Sequence, residues 1–292
     1  MTNALPLIGG IQNSVAMGFA GNQALYAVSN ALGARTVGVS TSFASARGGV
    51  PGGTSWQPEP QQFRRDVAFA IAQRPAVMVV GYVPKPSFVD IIATQLADYK
   101  GVILLDPVIG SYQKGLFVSE ETARAIAEQL VPLAQIVTPN RFEAELLLGK
   151  AGGRHATEHA FLNGIFDLGP QGVAVTSFER DAEKHELTLL FTNGYTYQRI
   201  TAPFYPTFPA HGAGDVFAAA TALCTRAVVN TTAYGGATVD PVAALSGWGP
   251  LAHHLDDDAA MRFCERANVK AETIQRSTED GPRLKFAPCS SR

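Results

Sequence analysis

Asp215 follows a glycine–alanine–glycine step, Gly212-Ala213-Gly214, and precedes a run of small and apolar helix formers, Val216-Phe217-Ala218-Ala219-Ala220. Glycine at 212 and 214 allows a tight turn and lets a ligand reach the backbone amides with no Cβ in the way. The amides of Gly212, Ala213 and Gly214 would then head a helix, where unpaired N–H groups and the positive dipole end favour an anion. An acid in that first turn suits a general base that takes a proton from a hydroxyl while the amides hold charge on a transferring phosphoryl group. The same residues also fit a plain helix start, so the rest of the chain must decide.

Four further stations fall where strands are expected to end. Gln12-Asn13-Ser14-Val15, with Gly18, Gly21 and Asn22, follows a first apolar run; it is not the GxGxxG of a dinucleotide site and also fits an ordinary turn. Tyr82, after Gly81, could stack on a flat ligand or form a half-buried wall. Asp106, in Leu105-Asp106-Pro107, ends an apolar run where an uncompensated charge is costly, which favours a metal or nucleotide contact over turn initiation. Asn140 and Glu143, in Thr138-Pro139-Asn140-Arg141-Phe142-Glu143, can form a helix capping box, or hold magnesium through water. His253-His254 lacks a third ligand at zinc spacing, and Cys224 reads as a small packed hydrophobe.

These stations need a scaffold. Short apolar runs alternate with helical patterns, which predicts a mostly parallel sheet with helices on both faces, an α/β/α sandwich in one domain spanning residues 1–292. Strands are expected at Leu5–Ile11, Thr36–Ser40, Val77–Val80, Val102–Leu105, Ile136–Thr138 and Val173–Thr176, then a hairpin, Leu187–Phe191 and Tyr195–Thr201, around Asn193-Gly194. Helices are expected at Asn22–Leu32, Pro60–Gln73, Ser87–Tyr99, Glu120–Leu130, Arg141–Leu148, Glu158–Leu168, Gly214–Val228, Val239–Leu245 and Asp256–Ser277. The stretch Ala44–Gln57, rich in glycine and proline, is expected to be a long mobile loop and a candidate part of a lid. A formal net charge of −2 gives no basic footprint for nucleic acid. No apolar run suits a membrane span, and three scattered cysteines suggest neither disulfides nor zinc, so the expectation is a cytoplasmic protein.

Taken together, the motifs resemble the ribokinase superfamily and, within it, the pyridoxal kinases. The residues that carry the resemblance are Ile11-Gln12-Asn13-Ser14-Val15 with Gly18, Gly21 and Asn22, then Gly81-Tyr82, Asp106-Pro107-Val108-x-Gly110, Thr138-Pro139-Asn140-x-x-Glu143 and Gly212-x-Gly214-Asp215. The Gly-Gly-Ala-Gly-x-Gln-Ala element of the related hydroxymethylpyrimidine kinases is not found. The resemblance implies a ribokinase-like fold and transfer of the γ-phosphoryl of ATP to the 5′-hydroxymethyl group of a B6 vitamer. It implies Asp215 as base, Gly212, Ala213 and Gly214 as anion hole, and Asp106 and Glu143 near magnesium and phosphates, with potassium left open. Thr138 and Asn140 would lie beside the nucleotide, and Ala202-Pro203-Phe204-Tyr205 where such kinases contact adenine or cover the site. A homodimer is implied as well.

Three departures concern ligand contacts. The residue after Ile-Gln is Asn13 rather than a serine, with Ser14 one step later, and these with Tyr82 are the vitamer-side candidates. The pocket stretch of the family is replaced by Phe43-Ala44-Ser45-Ala46-Arg47-Gly48-Gly49, in which Arg47 and Gly48 are substrate-side candidates and Arg47 could face a phosphate or carboxylate, or solvent. A phosphate-contacting lysine gives way to Thr176 in the nucleotide region, removing a positive charge. Three readings follow: a divergent pyridoxal kinase, a kinase for another hydroxymethyl or sugar-like substrate, or a weakly catalytic paralogue that binds vitamer or nucleotide. Retention of Asp215 argues against the last.

Overall fold

The computed structural model describes residues 6–46, 48, 50–149, 157–203, 212–232 and 270–274. Its frame is a ten-stranded sheet. The strands are β1 (Leu7–Met17), β2 (Arg35–Ala46), β3 (Ser55–Trp56), β4 (Val77–Val80), β5 (Val102–Leu105), β8 (Ile136–Val137), β9 (Gly172–Asp181), β10 (Glu186–Thr192), β11 (Tyr197–Pro203) and β12 (Lys270–Ile274). A separate small hairpin pairs β6 (Gly110–Ser111) with β7 (Gly115–Leu116). The sheet order is β12-β11-β10-β9-β8-β5-β4-β1-β2-β3. From β2 to β9 neighbours are parallel, and strands beyond either end pair antiparallel.

Helices cover both faces. On one side lie α2 (Pro60–Ala72), α3 (Pro86–Leu96), α4 (Glu120–Ala125), α5 (Arg141–Leu147) and α6 (Glu158–Phe166), whose Phe63, Phe88, Ala125, Leu147 and Ile165 share a core with Ile11, Val80 and Leu105. On the other lie α1 (Asn22–Ala31) and α7 (Ala213–Thr232), packed through Leu25, Ala218, Ala219 and Ala222 on Ile8, Val79 and Leu104. Alternate residues of one strand thus serve opposite cores, which is why Val-Met-Val-Val and Val-Ile-Leu-Leu are apolar throughout. The small side chains of α7 let that helix sit close to the sheet and bring its first turn over the strand ends.

The layered arrangement matches expectation, and β4 and β5 have the expected limits. Other elements differ. β1 runs on to Met17, so Gln12 to Val15 lie inside a strand rather than after it. Asn22 accounts for this: its Nδ2 lies within 3.2 Å of the Gln12 carbonyl, 3.2 Å of Ser14 Oγ and 3.1 Å of the Val39 carbonyl, and so ties β1 to β2. β2 continues to Ala46, and β3 forms within the stretch expected to be all loop. β9 continues past a bulge to Asp181, with Ser177 at φ 49°. Lys270–Ile274, expected to be helical, is a strand on the outer edge of β11, where cross-strand pairing overrides local propensity. The rest of that expected helix and Val239–Leu245 lie outside the described residues.

Candidate active site

Asp106 closes β5, and the first turn of α7 comes down onto it. A Cβ built on Gly214 would lie 3.5 Å from Asp106 Oδ2. Gly212 is held at φ +83°, and a Cβ there would lie 1.6 Å from the Phe19 carbonyl oxygen, so only glycine fits between α7 and the β1–α1 connection. The Gly21 amide, in the same connection, lies close enough to the carboxylate of half-buried Asp215 to favour its charged form, without a hydrogen bond of normal geometry. Gly21 also has positive φ, with the Asn13 carbonyl oxygen 2.1 Å from a would-be Cβ and Asn13 Oδ1 at 2.5 Å. The start of α7 is thus set by backbone packing against the chain leaving β1.

Asn140 and Glu143 form the capping box of α5. Glu143 does more than cap. Its Oε1 accepts from the amides of Ile109 at 3.0 Å and Gly110 at 3.2 Å, and its Oε2 from the Asn140 amide at 2.9 Å. Asn140 Nδ2 donates to the Gly110 carbonyl at 2.9 Å. Both side chains therefore anchor the loop that follows Asp106. Thr138, at the end of β8, is buried beside Asp106; it favours the charged form of that acid slightly without a bond of normal geometry.

Three acids are gathered here, and all are shifted the same way. Burial first, then repulsion from Glu143 and Asp215, holds the Asp106 carboxyl well above the usual carboxylate range, with Thr138 pulling the other way. Burial raises Glu143 to about 7 against the amides that stabilise its anion. Burial also raises Asp215, against the amides of Gly21 and of Asp215 itself. A concentration of buried carboxylates with raised affinity for protons is a site prepared for a cation or for proton transfer. Among the described residues, no group of three or more His, Cys, Asp or Glu side chains is placed to hold a metal directly.

The remaining candidates divide. Thr176 lies next to Asn140 through a parallel bridge, and its amide donates to the Pro139 carbonyl at 2.8 Å. Ala202 and Pro203 sit two strands further out, opposite Leu187 and Glu186. The carbonyl of Tyr82 accepts from Thr41 Oγ1 at 2.7 Å, which ties the end of β4 to β2. The Ser14 hydroxyl is shared with Ser40 on β2 at 2.6 Å and accepts from Asn22 Nδ2 at 3.2 Å. Gly48 is exposed; Arg47, Phe204, Tyr205 and His211 lie outside the described residues. Asn22, in sequence only a member of the first station, is the clamp between β1 and β2, a role that its position at the start of α1 did not by itself reveal.

Residues 17–233 match the family described as phosphomethylpyrimidine kinase. The chain is 37% identical over 120 residues to the pyridoxal kinase PdxY of Deinococcus radiodurans, a match covering 39% of this chain and 40% of that protein. It is 29% identical over 221 residues to PdxY of Corynebacterium diphtheriae, covering 72% of this chain and 77% of the relative. The structure of a Staphylococcus aureus pyridoxal kinase in complex with AMP-PCP and pyridoxal superposes with a TM-score of 0.67 at 22% identity, over 83% of this chain and 84% of that one. The three-layer architecture is therefore ribokinase-like.

Proposed function

The chain belongs to the phosphomethylpyrimidine kinase family, and on that premise we propose that it is an ATP-dependent kinase of B6 vitamers. It moves the γ-phosphoryl group of ATP to the 5′-hydroxymethyl oxygen of pyridoxal, pyridoxine or pyridoxamine, releasing ADP. The observation that carries this is Asp215, placed beside the Gly21 amide in the first turn of α7, one residue beyond a glycine that closes on Asp106.

Asp215 takes the proton of the attacking hydroxyl; its raised proton affinity suits that task at neutral pH better than that of an ordinary carboxylate. The amides of Gly212, Ala213 and Gly214 face the charge on the transferring group, where the helix start leaves N–H groups without carbonyl partners. Thr138, Asn140 and Thr176 line the nucleotide side, with Ala202 to Tyr205 further out toward the base. Asn13 and Tyr82 serve the vitamer side, together with Arg47 and Gly48, while Ser14 acts on the scaffold.

Magnesium fits the donor set. Asp106 is a buried acid whose charge the protein leaves uncompensated, and it would hold the ion through water, as magnesium prefers. Glu143, with both oxygens engaged by amides, would orient the loop around that ion. When bound, magnesium would neutralise charge on the ATP phosphates. The cytoplasm, which supplies ATP, is the compartment this reading calls for, and a homodimer is the assembly.

The test is ATP turnover with magnesium against each vitamer and against hydroxymethylpyrimidine. Vitamer-dependent ADP release, with a 5′-phosphate product confirmed by mass, is expected. ATP binding with no turnover of any vitamer would overturn the reading.

A further inference from the structure

Gln12 lies on the floor of this site with no task assigned to it. It shares a face of β1 with Ile8 and Gly10, the face covered by α1 and α7. Three backbone bonds fix its level. The Gly81 amide donates to the Ile11 carbonyl at 3.0 Å, the Asp106 amide to that of Val80 at 2.8 Å, and the Thr138 amide to that of Leu105 at 2.9 Å. Gln12, Gly81, Asp106 and Thr138 therefore form a row across β1, β4, β5 and β8, at the carboxyl ends where open α/β sheets receive ligands.

Within that row Gln12 is anomalous. It is 2% exposed, yet its carboxamide makes no hydrogen bond among the described residues. The amide atoms nevertheless keep a little of the exposure that the residue retains. Natural proteins rarely leave a buried amide unpaired, and one that borders a ligand site is satisfied by the ligand. Gly81 provides the room: a Cβ there would lie 2.4 Å from Gln12 Oε1 and 3.0 Å from Gln12 Cβ. The side chain thus lies across Gly81, on the side of β1 that leads to Asp106.

We infer that the Gln12 carboxamide is a contact for the acceptor substrate, hydrogen-bonding a polar group of the alcohol whose hydroxyl faces Asp215. The inference rests on the vitamer-kinase reading. The acceptor is favoured over the nucleotide because Gln12 stands on β1, whose continuation at Phe19 and Ala20 packs against Gly212 and so seats the turn that carries the base. The nucleotide-side residues lie on β8 and β9 instead. A neutral group that both donates and accepts suits an uncharged heteroaromatic alcohol better than a phosphate.

The test compares Gln12→Leu with the unaltered protein. The KM for pyridoxal and its calorimetric Kd without ATP should rise about tenfold, with the KM for ATP within about twofold. Gly81→Ala, which displaces the carboxamide without altering it, should weaken pyridoxal binding in the same direction, and should add little in a Gln12→Leu background. This variant keeps the test in force if Gln12→Leu fails to fold. Unchanged pyridoxal affinity in either folded variant, full additivity in the double variant, or an effect confined to ATP would overturn the inference. Failure of the unaltered protein to phosphorylate any vitamer is a different result: it overturns the functional reading and this inference with it.

Discussion

At the scale of single residues, the three acids differ in what the fold does with them. Asp215 lies beside the Gly21 amide in the first turn of α7, and it keeps the freedom to take a proton. Asp215→Asn should lower kcat by about 10²–10⁴ with ATP affinity nearly unchanged, as steady-state kinetics and calorimetry would show. Glu143 is committed to three amides and titrates near 7, against a usual 4.5. The folded protein therefore binds more protons than the unfolded chain between those values, and stability falls as pH rises through that window. The ligand-free protein should melt at a lower temperature at about pH 8 than at about pH 5. Glu143→Gln should flatten that dependence, leaving the part contributed by Asp106 and Asp215, and an unchanged slope would refute the assignment.

At the scale of elements, the decisive contact is the seating of α7 against the chain leaving β1. Gly212 and Gly33 both have positive φ, at +83° and +71°, but nothing lies within 4 Å of a Cβ on Gly33. Gly33→Ala should cost only the left-handed strain, about 1 kcal/mol in urea unfolding, with turnover intact. Gly212→Ala adds a collision with the Phe19 carbonyl, so it should cost more stability and should lower kcat by shifting the base. Equal effects of the two would show that α7 is not held this way. These positions also mark how far the sequence could be read. β4 and β5 were legible to the residue because strands buried on both faces are apolar runs with clear limits. The acids of the site were legible because each follows such a run or opens a helix. The extensions of β1 and β2 were not, since beyond Gln12 and Ser40 polar and small residues interrupt the apolar pattern and the two segments pair with each other only after a register shift. The position of Gln12 over Gly81 depends on the register of β1 against β4, and β12 on a partner from far along the chain, so no local pattern announced either.

At the scale of the whole molecule, the sheet has an edge to account for. β3 covers β2 only at Phe43 and Ala44, which leaves the outer side of β2 from Arg35 to Ser42 without a strand partner among the described residues. A cleft of about 760 Å³ runs along that edge, lined by Tyr26, Val37, Gly38, Phe43, Trp56 and Phe69 among others. Trp56 is 60% exposed and Phe69 63%, and Trp56 stacks on Phe43 at 4.3 Å. An open edge flanked by exposed aromatic rings invites pairing, and a two-fold axis lets one such surface cover its own copy. The proposed homodimer would use this face. Light scattering after size exclusion should then give twice the chain mass of 30.9 kDa. Phe69→Glu with Trp56→Lys should return the single-chain mass without lowering the melting temperature by more than a dimer's loss explains. Since Gln12, Asp106, Glu143 and Asp215 all come from one chain, the monomeric variant should still turn over. A protein that is monomeric before substitution would rule out the assembly and leave the edge unexplained; a dimer that survives both changes would place the interface on another face.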